Sequence, residues 1–158
     1  MIIRPLQISD IEAVIEIVSS HVSEDGPFAR SYFQAFFTRL VAGAKLEQNY
    51  VAENDLGCVI GVCGYGPDQY DTPDILWLKW FYVRKDYVGT MVGFRLYEQV
   101  LNDLRKLGTR KLYLDTSSYT AYNKAVRFYR SAGFVQEGLL LDYYGPAEHM
   151  LIMGVHLS

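Results

Sequence analysis

"WFYVRKDYVGTMVGFRLYEQVL", residues 80–101, decides the fold. It leaves an apolar run, "DILWLKWFYV" (74–83), crosses a loop with Gly89 and Gly93, and enters a helix-period pattern from Val92. Leu96, Val100, Leu101, Leu104 and Leu107 form a wide apolar stripe, and Gly108 stands where a helix stop is expected. A strand, a glycine-bearing loop and a long helix are thus predicted in that order. The first amides of a helix lack partners and its dipole favours negative charge, so this loop is placed to take a phosphate. A phosphate-loop NTPase is excluded, because no Gly-Lys-Ser/Thr follows the glycines.

Downstream, "RKLYLDT" (110–116) is a strand, parallel to the one before the helix and joined to it by a right-handed crossover. "TAYNKAVRFYRSAGF" (120–134) is a short helix with Ala121, Ala125, Phe128 and Ala132 on one face, ended by Gly133. "FVQEGLLLDYY" (134–144) and "HMLIMGVHL" (149–157) are strands around the turn "GPAE". Upstream, Met1–Arg4 is a strand. "SDIEAVIEIVSS" (9–20) is a helix with Ser9 and Glu12 placed as a capping box. "EDGPF" (24–28) breaks it, and Phe28, Tyr32, Phe36 and Leu40 line one face of a second helix. "NYVAEN" and "CVIGVCGYG" are strands joined by a turn at Asn54–Gly57. The expected order is β α α β β β α β α β β. The fold class is α/β (α+β), a mixed twisted sheet of about six to seven strands flanked by about four helices.

A chain of 158 residues is one domain's worth, expected over 1–158. Half of it is apolar, enough for a sizeable core. A net charge of −3 argues against a sequence-independent nucleic-acid binder. No run of about 18 apolar residues predicts a membrane span, and the first residues lack the apolar core of a signal peptide. Cys58 and Cys63 have neither zinc spacing nor a redox C-x-x-C pattern, so buried free thiols, no metal and a cytoplasmic location are expected. The 13 tyrosines suit pocket walls that are apolar with a polar tip.

The element order, with "WFYVRKDYVGTMVG" and "AVRFYRSAGF" about 40 residues apart, resembles the GNAT (GCN5-related) N-acetyltransferases over nearly the whole chain. "DTSS", Tyr122 and "LDYYGP" are similar to features of small bacterial single-domain members. The resemblance implies acetyl-CoA as co-substrate, with its pyrophosphate on Val88, Gly89, Thr90, Met91, Val92 and Gly93. The family's loop has Gln or Arg at the position of Val88 and Gly at that of Met91. Main-chain donors survive both changes, so the expected loss is about 1–2 kcal/mol, roughly tenfold in affinity. The pantetheine arm would lie along Phe81, Tyr82 and Val83, as an added strand does. Tyr122 or Asn123 would touch the arm.

The resemblance also implies that Tyr129, in the "FY" of the short helix, protonates the leaving thiolate. The family's usual base, a Glu on the strand before the loop, has no counterpart, since that strand carries Lys79 and no carboxylate. Glu24, Asp25, Asp74, Asp142 and a water chain remain open as routes for the acceptor's proton. His21 and His149 are read as surface groups. The expected acceptor is the primary amine of a small molecule, bound by "SSHVSEDGPFARSYF" and "LDYYGPAEHM". A homodimer is admitted, and neither nucleic acid nor membrane is expected. The alternatives are a non-catalytic acyl-CoA-binding domain of the same fold and an acetyltransferase of protein N-termini or lysines.

Overall fold

The turn at Asn54–Gly57 is too short for anything but an antiparallel pair, and its closure is local. The Asn54 side-chain oxygen accepts the amides of Leu56 at 3.0 Å and Cys58 at 2.9 Å. In the computed structural model, which describes residues 1–157, β2 (Gln48–Glu53) and β3 (Val59–Gly66) flank this turn. β1 (Ile2–Pro5) adds antiparallel to β2, and β4 (Ile75–Val83) to β3. α3 (Met91–Lys106) then carries the chain to β5 (Lys111–Ser117), parallel to β4. β7 (Glu148–His156) lies between β5 and β6 (Val135–Gly145), completing the seven-stranded order β1-β2-β3-β4-β5-β7-β6. Among the described residues four α-helices accompany it: α1 (Ile11–His21), α2 (Asp25–Val41), α3 and α4 (Asn123–Ser131).

Two cores follow from the two-residue period of the strands. Tyr50, Ala52, Ile60 and Leu114 pack with Leu96, Val100 and Leu104 of α3 and Tyr129 of α4. Val51 and Val62 turn the other way, onto Val14 and Val18 of α1 and Phe33 and Phe36 of α2. α3 and α4 both close with glycine in the left-handed region, at Gly108 (φ +70°) and Gly133 (φ +92°). The following amides reach back, Thr109 to the Leu104 carbonyl at 2.9 Å and Phe134 to that of Tyr129 at 3.0 Å. The second bond fixes the end of the helix that carries Tyr129.

Several sequence expectations are corrected. Ser9 and Glu12 do not cap α1. Asp10 caps the turn before it, taking the Gln7 amide at 2.8 Å and two Arg4 nitrogens at 2.7 and 3.0 Å. "EDGPF" opens α2 instead of ending α1, because Pro27 sits in the first helical turn, where no amide partner is needed. The buried face of α2 is Ala29, Phe33 and Phe36, with Phe28 at 69% and Leu40 at 41% exposure. Gly26 explains the rotation: a Cβ there would stand 2.2 Å from Ser19 Oγ, so the Gly26–Ala29 side is the one that approaches α1 closely. In α4 the buried residues are Val126 and Tyr129, with Ala125, Phe128 and Ala132 half-buried beside them. Of the two cysteines only Cys63 is buried; Cys58 is exposed.

Candidate active site

β4 and β5 pair only from Ile75–Trp77 to Lys111–Tyr113. The Trp77 and Tyr113 rings stack at 5.3 Å over the last rung. Past it, no residue of β4 pairs with β5. The departure has a local cause. Trp80 sits at φ +49°, and the register with β3 shifts between Val62 and Gly64. Such a bulge bends its strand and increases its twist, and a bulky residue at positive φ is strained. Nothing in "WLKWFYV" signalled it. The Arg84 amide donates to the Ile60 carbonyl at 2.9 Å. By ladder alternation the main-chain groups of Val83 therefore turn away from β3 and into the gap. The Val83 carbonyl takes His21 Nε2 at 2.7 Å, so His21 is tied to this strand and is not a free surface group.

The loop at the start of α3 borders the gap. Gly89 takes φ +86°, a conformation that strains any side chain. Thr90 caps the helix, its hydroxyl accepting the Val92 amide at 3.4 Å and donating to the Tyr87 carbonyl at 2.6 Å. Among the described residues, the amides of Gly89 and Met91 have no partner. Met91 is 60% exposed and Val88 is at the surface, so neither side chain fills the cradle. Of the expected phosphate ligands, the Val88 amide is instead spent on the Lys85 carbonyl at 3.3 Å and that of Thr90 on the Tyr87 carbonyl at 3.2 Å. Val92 is buried in the core. A Cβ on Gly93 would meet Phe81 at 3.5 Å and Val83 at 3.6 Å, which makes Gly93 the contact between α3 and β4. Unpaired amides, an open Gly89 and a helix start fit a pyrophosphate; the unpaired edge of β4 fits an amide-bearing arm.

Tyr129 reaches this region from the α4 side. Its ring lies 6.2 Å from Phe81 and 5.8 Å from Phe134. Burial pushes its hydroxyl well above the ordinary tyrosine value, with the neighbouring Cys63, Asp115 and Tyr122 adding to the shift. The phenol is therefore held in its protonated form around neutral pH, the form a proton donor needs.

On the opposite face Asp25 ties three elements together. Its Oδ2 accepts the hydroxyls of Tyr82 and Tyr122, each at 2.8 Å. Burial first, then the charges and hydrogen bonds around Asp25, raise both phenols. The start of α2 is thus fastened across β4 and the turn before α4. Asn123 opens α4 and is exposed.

The other acidic candidates have structural work. Asp74 holds the start of β5 through its main chain, its carbonyl accepting the Arg110 and Lys111 amides, while its carboxylate stands before the paired rungs, away from the gap, with no hydrogen bond among the described residues. Asp142 receives the Ala147 amide at 2.8 Å, and its own amide donates to His149 Nδ1 at 2.9 Å, so both residues hold the β6–β7 turn. Glu24 is exposed and takes the Ser23 hydroxyl at 2.9 Å. Asp115, which sequence reasoning missed, stands on β5 just beyond the last rung. Tyr144 donates to it at 3.3 Å. It is exposed toward the gap; the partial desolvation by neighbouring protein raises its pKa, which the Tyr144 bond and the charge of Lys79 lower only in part. Lys79 donates to the Pro67 carbonyl at 3.1 Å, and burial lowers its pKa. The available signal was a lone acid at an alternating position of an apolar strand. Among the described residues no acidic, histidine or cysteine group could hold a metal ion, and no helix is long and apolar enough to cross a membrane.

A mixed sheet whose central parallel pair parts beside an unpaired helix start is the architecture of an acyltransferase domain. The chain belongs to the acetyltransferase (GNAT) family, whose model matches residues 12–134. In fold it is similar to a protein assigned to that family from Desulfovibrio desulfuricans, with 24% identity, TM-score 0.86 and 99% of each chain covered. It is also similar to an aminoglycoside 6'-N-acetyltransferase complexed with coenzyme A (14%, TM-score 0.81, covering 100% of this chain and 98% of that one). A third is the ribosomal-protein-S18-alanine N-acetyltransferase of Escherichia coli (21%, TM-score 0.78, 99% and 94%). No curated protein matches the chain in sequence.

Proposed function

We propose that this protein transfers the acetyl group of acetyl-CoA to the primary amine of a small molecule, within a ternary complex. The observation that carries the reading is the parting of β4 from β5 beside the start of α3, with the Tyr129 ring against Phe81. Gly89, Met91 and the first turn of α3 hold the pyrophosphate, and the β4 edge at Phe81 and Val83, whose Val83 carbonyl His21 already occupies, takes the pantetheine amides through its remaining main-chain groups. Tyr122 and its neighbour Asn123 flank the arm at the start of α4. The solved relative holding coenzyme A supports the choice of co-substrate. Acetyl-CoA supplies an activated thioester. The acceptor ammonium loses one proton and its nitrogen bonds to the acetyl carbon. The carbon–sulfur bond breaks and Tyr129 gives its proton to sulfur. The second nitrogen-bound proton restores the phenol, so one proton is released per turnover.

A small acceptor is favoured over a polypeptide by the Asp25 tie. It fastens α2 across β4 and the turn before α4, where a peptide would need an open groove. The test is a panel of small amines and peptide N-termini offered with acetyl-CoA, read as free thiol and as acetylated product by mass. Thiol release with small amines and not with peptides is expected. Coenzyme A binding with no amine-dependent release would replace this reading by that of an acyl-CoA-binding domain.

A further inference from the structure

The acetyl-transfer reading leaves the acceptor's proton without a destination, and the carboxylates near the gap narrow the choice. Glu47 is bound by Arg39 at 2.6 and 3.1 Å. Asp25 is occupied by two phenols, Glu137 by Lys111 at 2.7 Å, and Glu148 by the Ser117 hydroxyl at 2.7 Å. Asp103 takes Tyr50 on the far side of the core. Asp115 holds only one long hydrogen bond, from Tyr144 at 3.3 Å.

Its placement is also distinct. Asp115 lies two residues past Tyr113, the last β5 residue paired with β4. Leu114 and Thr116 on either side of it are buried, and Leu114 joins the core under α3 and α4. By strand alternation Asp115 faces the other way. Tyr144 reaches it because β6 bulges between Leu140 and Gly145, breaking the alternation of Tyr143 and Tyr144. The charged and titratable groups around the carboxylate are Lys79 from β4, Tyr144 from β6 and Tyr129 from α4; β7 presents Ile152 opposite. Lys79 does not compete for the role. Its ammonium donates a hydrogen bond to the Pro67 carbonyl and lies 5.9 Å from the Tyr32 ring centre.

We infer that Asp115 is the general base of this enzyme, taking the proton from the acceptor's ammonium on the face of the gap opposite Tyr129; the inference rests on the acetyl-transfer reading. The ammonium gives one proton to the carboxylate, which passes it to water through the open gap. The freed amine attacks the acetyl carbon, while Tyr129 serves sulfur from the α4 side. Acid and base thus flank the thioester from opposite faces of the sheet. The acceptor approaches between Tyr144 and Lys79.

The experiment is the pH dependence of kcat/KM, with an amine that the wild-type protein acetylates, for wild type, Asp115→Asn, Asp115→Glu and Lys79→Met. The wild-type profile should show an acidic limb. Asp115→Asn should lose that limb and fall about 100-fold or more, with coenzyme A affinity by calorimetry unchanged. Asp115→Glu should keep a limb and recover part of the rate, which a merely structural role would not require. Lys79→Met should move the limb to higher pH, since losing a nearby cation makes the carboxyl harder to ionise. An Asp115→Asn enzyme that keeps the limb, or that loses rate only through KM, overturns the assignment and leaves acetyl transfer standing. A wild-type protein that binds coenzyme A but acetylates no amine removes both.

Discussion

Tyr129→Phe removes one hydroxyl and keeps the ring that packs on Phe81, Phe128 and Phe134. The hydroxyl makes no hydrogen bond to another described residue, so no buried partner is orphaned. The stability change should stay below about 1.5 kcal/mol, as for a near-isosteric core substitution. The effect falls on the chemical step. A general acid contributes typically 10²–10⁴-fold. A thiol of pKa about 8.5 is already a fair leaving group, which places the loss at the low end, about 10–100-fold, or about 1.4–2.7 kcal/mol of barrier. The high pKa of this phenol does not disqualify it, because the same dry surroundings also raise the proton affinity of the departing sulfur. The assay is single-turnover thiol release at saturating acetyl-CoA and amine, which isolates chemistry from product release. Coenzyme A affinity, measured by calorimetry, should be unchanged. An unaltered single-turnover rate would remove Tyr129 from the reaction.

Two other substitutions probe the loop and the fold. Gly89→Ala forces a side chain into φ +86° with open space around it, so it should cost about 1 kcal/mol of stability and, by distorting the loop, weaken coenzyme A roughly fivefold; equal calorimetric affinity would separate the loop from the ligand. Asp10→Asn breaks a part-buried pair with Arg4 and should cost about 2–4 kcal/mol at pH 7 in urea unfolding. Burial alone would raise the Asp10 carboxyl, but the Arg4 and Gln7 bonds outweigh it and hold it below the ordinary value. A depressed folded pKa gives stability that is present above the unfolded pKa and lost as pH falls through the folded one. The gap between wild type and variant should therefore shrink toward strongly acidic pH, and a constant gap would refute the argument.

The element order was legible because each element declares its period: two in "NYVAEN", 3.6 after Val92, with Gly108 and Gly133 as stops. The α2 face was not, because Phe28–Leu40 and Ala29–Phe36 are equally apolar stripes and only the close approach at Gly26 chooses between them. Gly89 and the α3 start were found from the loop itself. The bulge at Trp80 leaves no local mark, since tertiary packing holds that backbone and its side chain reads as an ordinary strand residue. Asp115 was hidden for a related reason. Its surroundings come from β4, β6 and α4, and Tyr144 reaches it through a bulge that the two-residue period cannot foresee. Asp25 was named as a base candidate, but the two phenols that occupy it lie 57 and 97 residues away along the chain.

The most direct test of the account is a titration of 15N-labelled protein with coenzyme A, followed by amide shifts. Saturable shifts centred on Val83, Gly89, Met91 and Gly93, spreading to Phe81 and Tyr122, are expected. Saturation that moves amides elsewhere while these stay fixed would contradict the account.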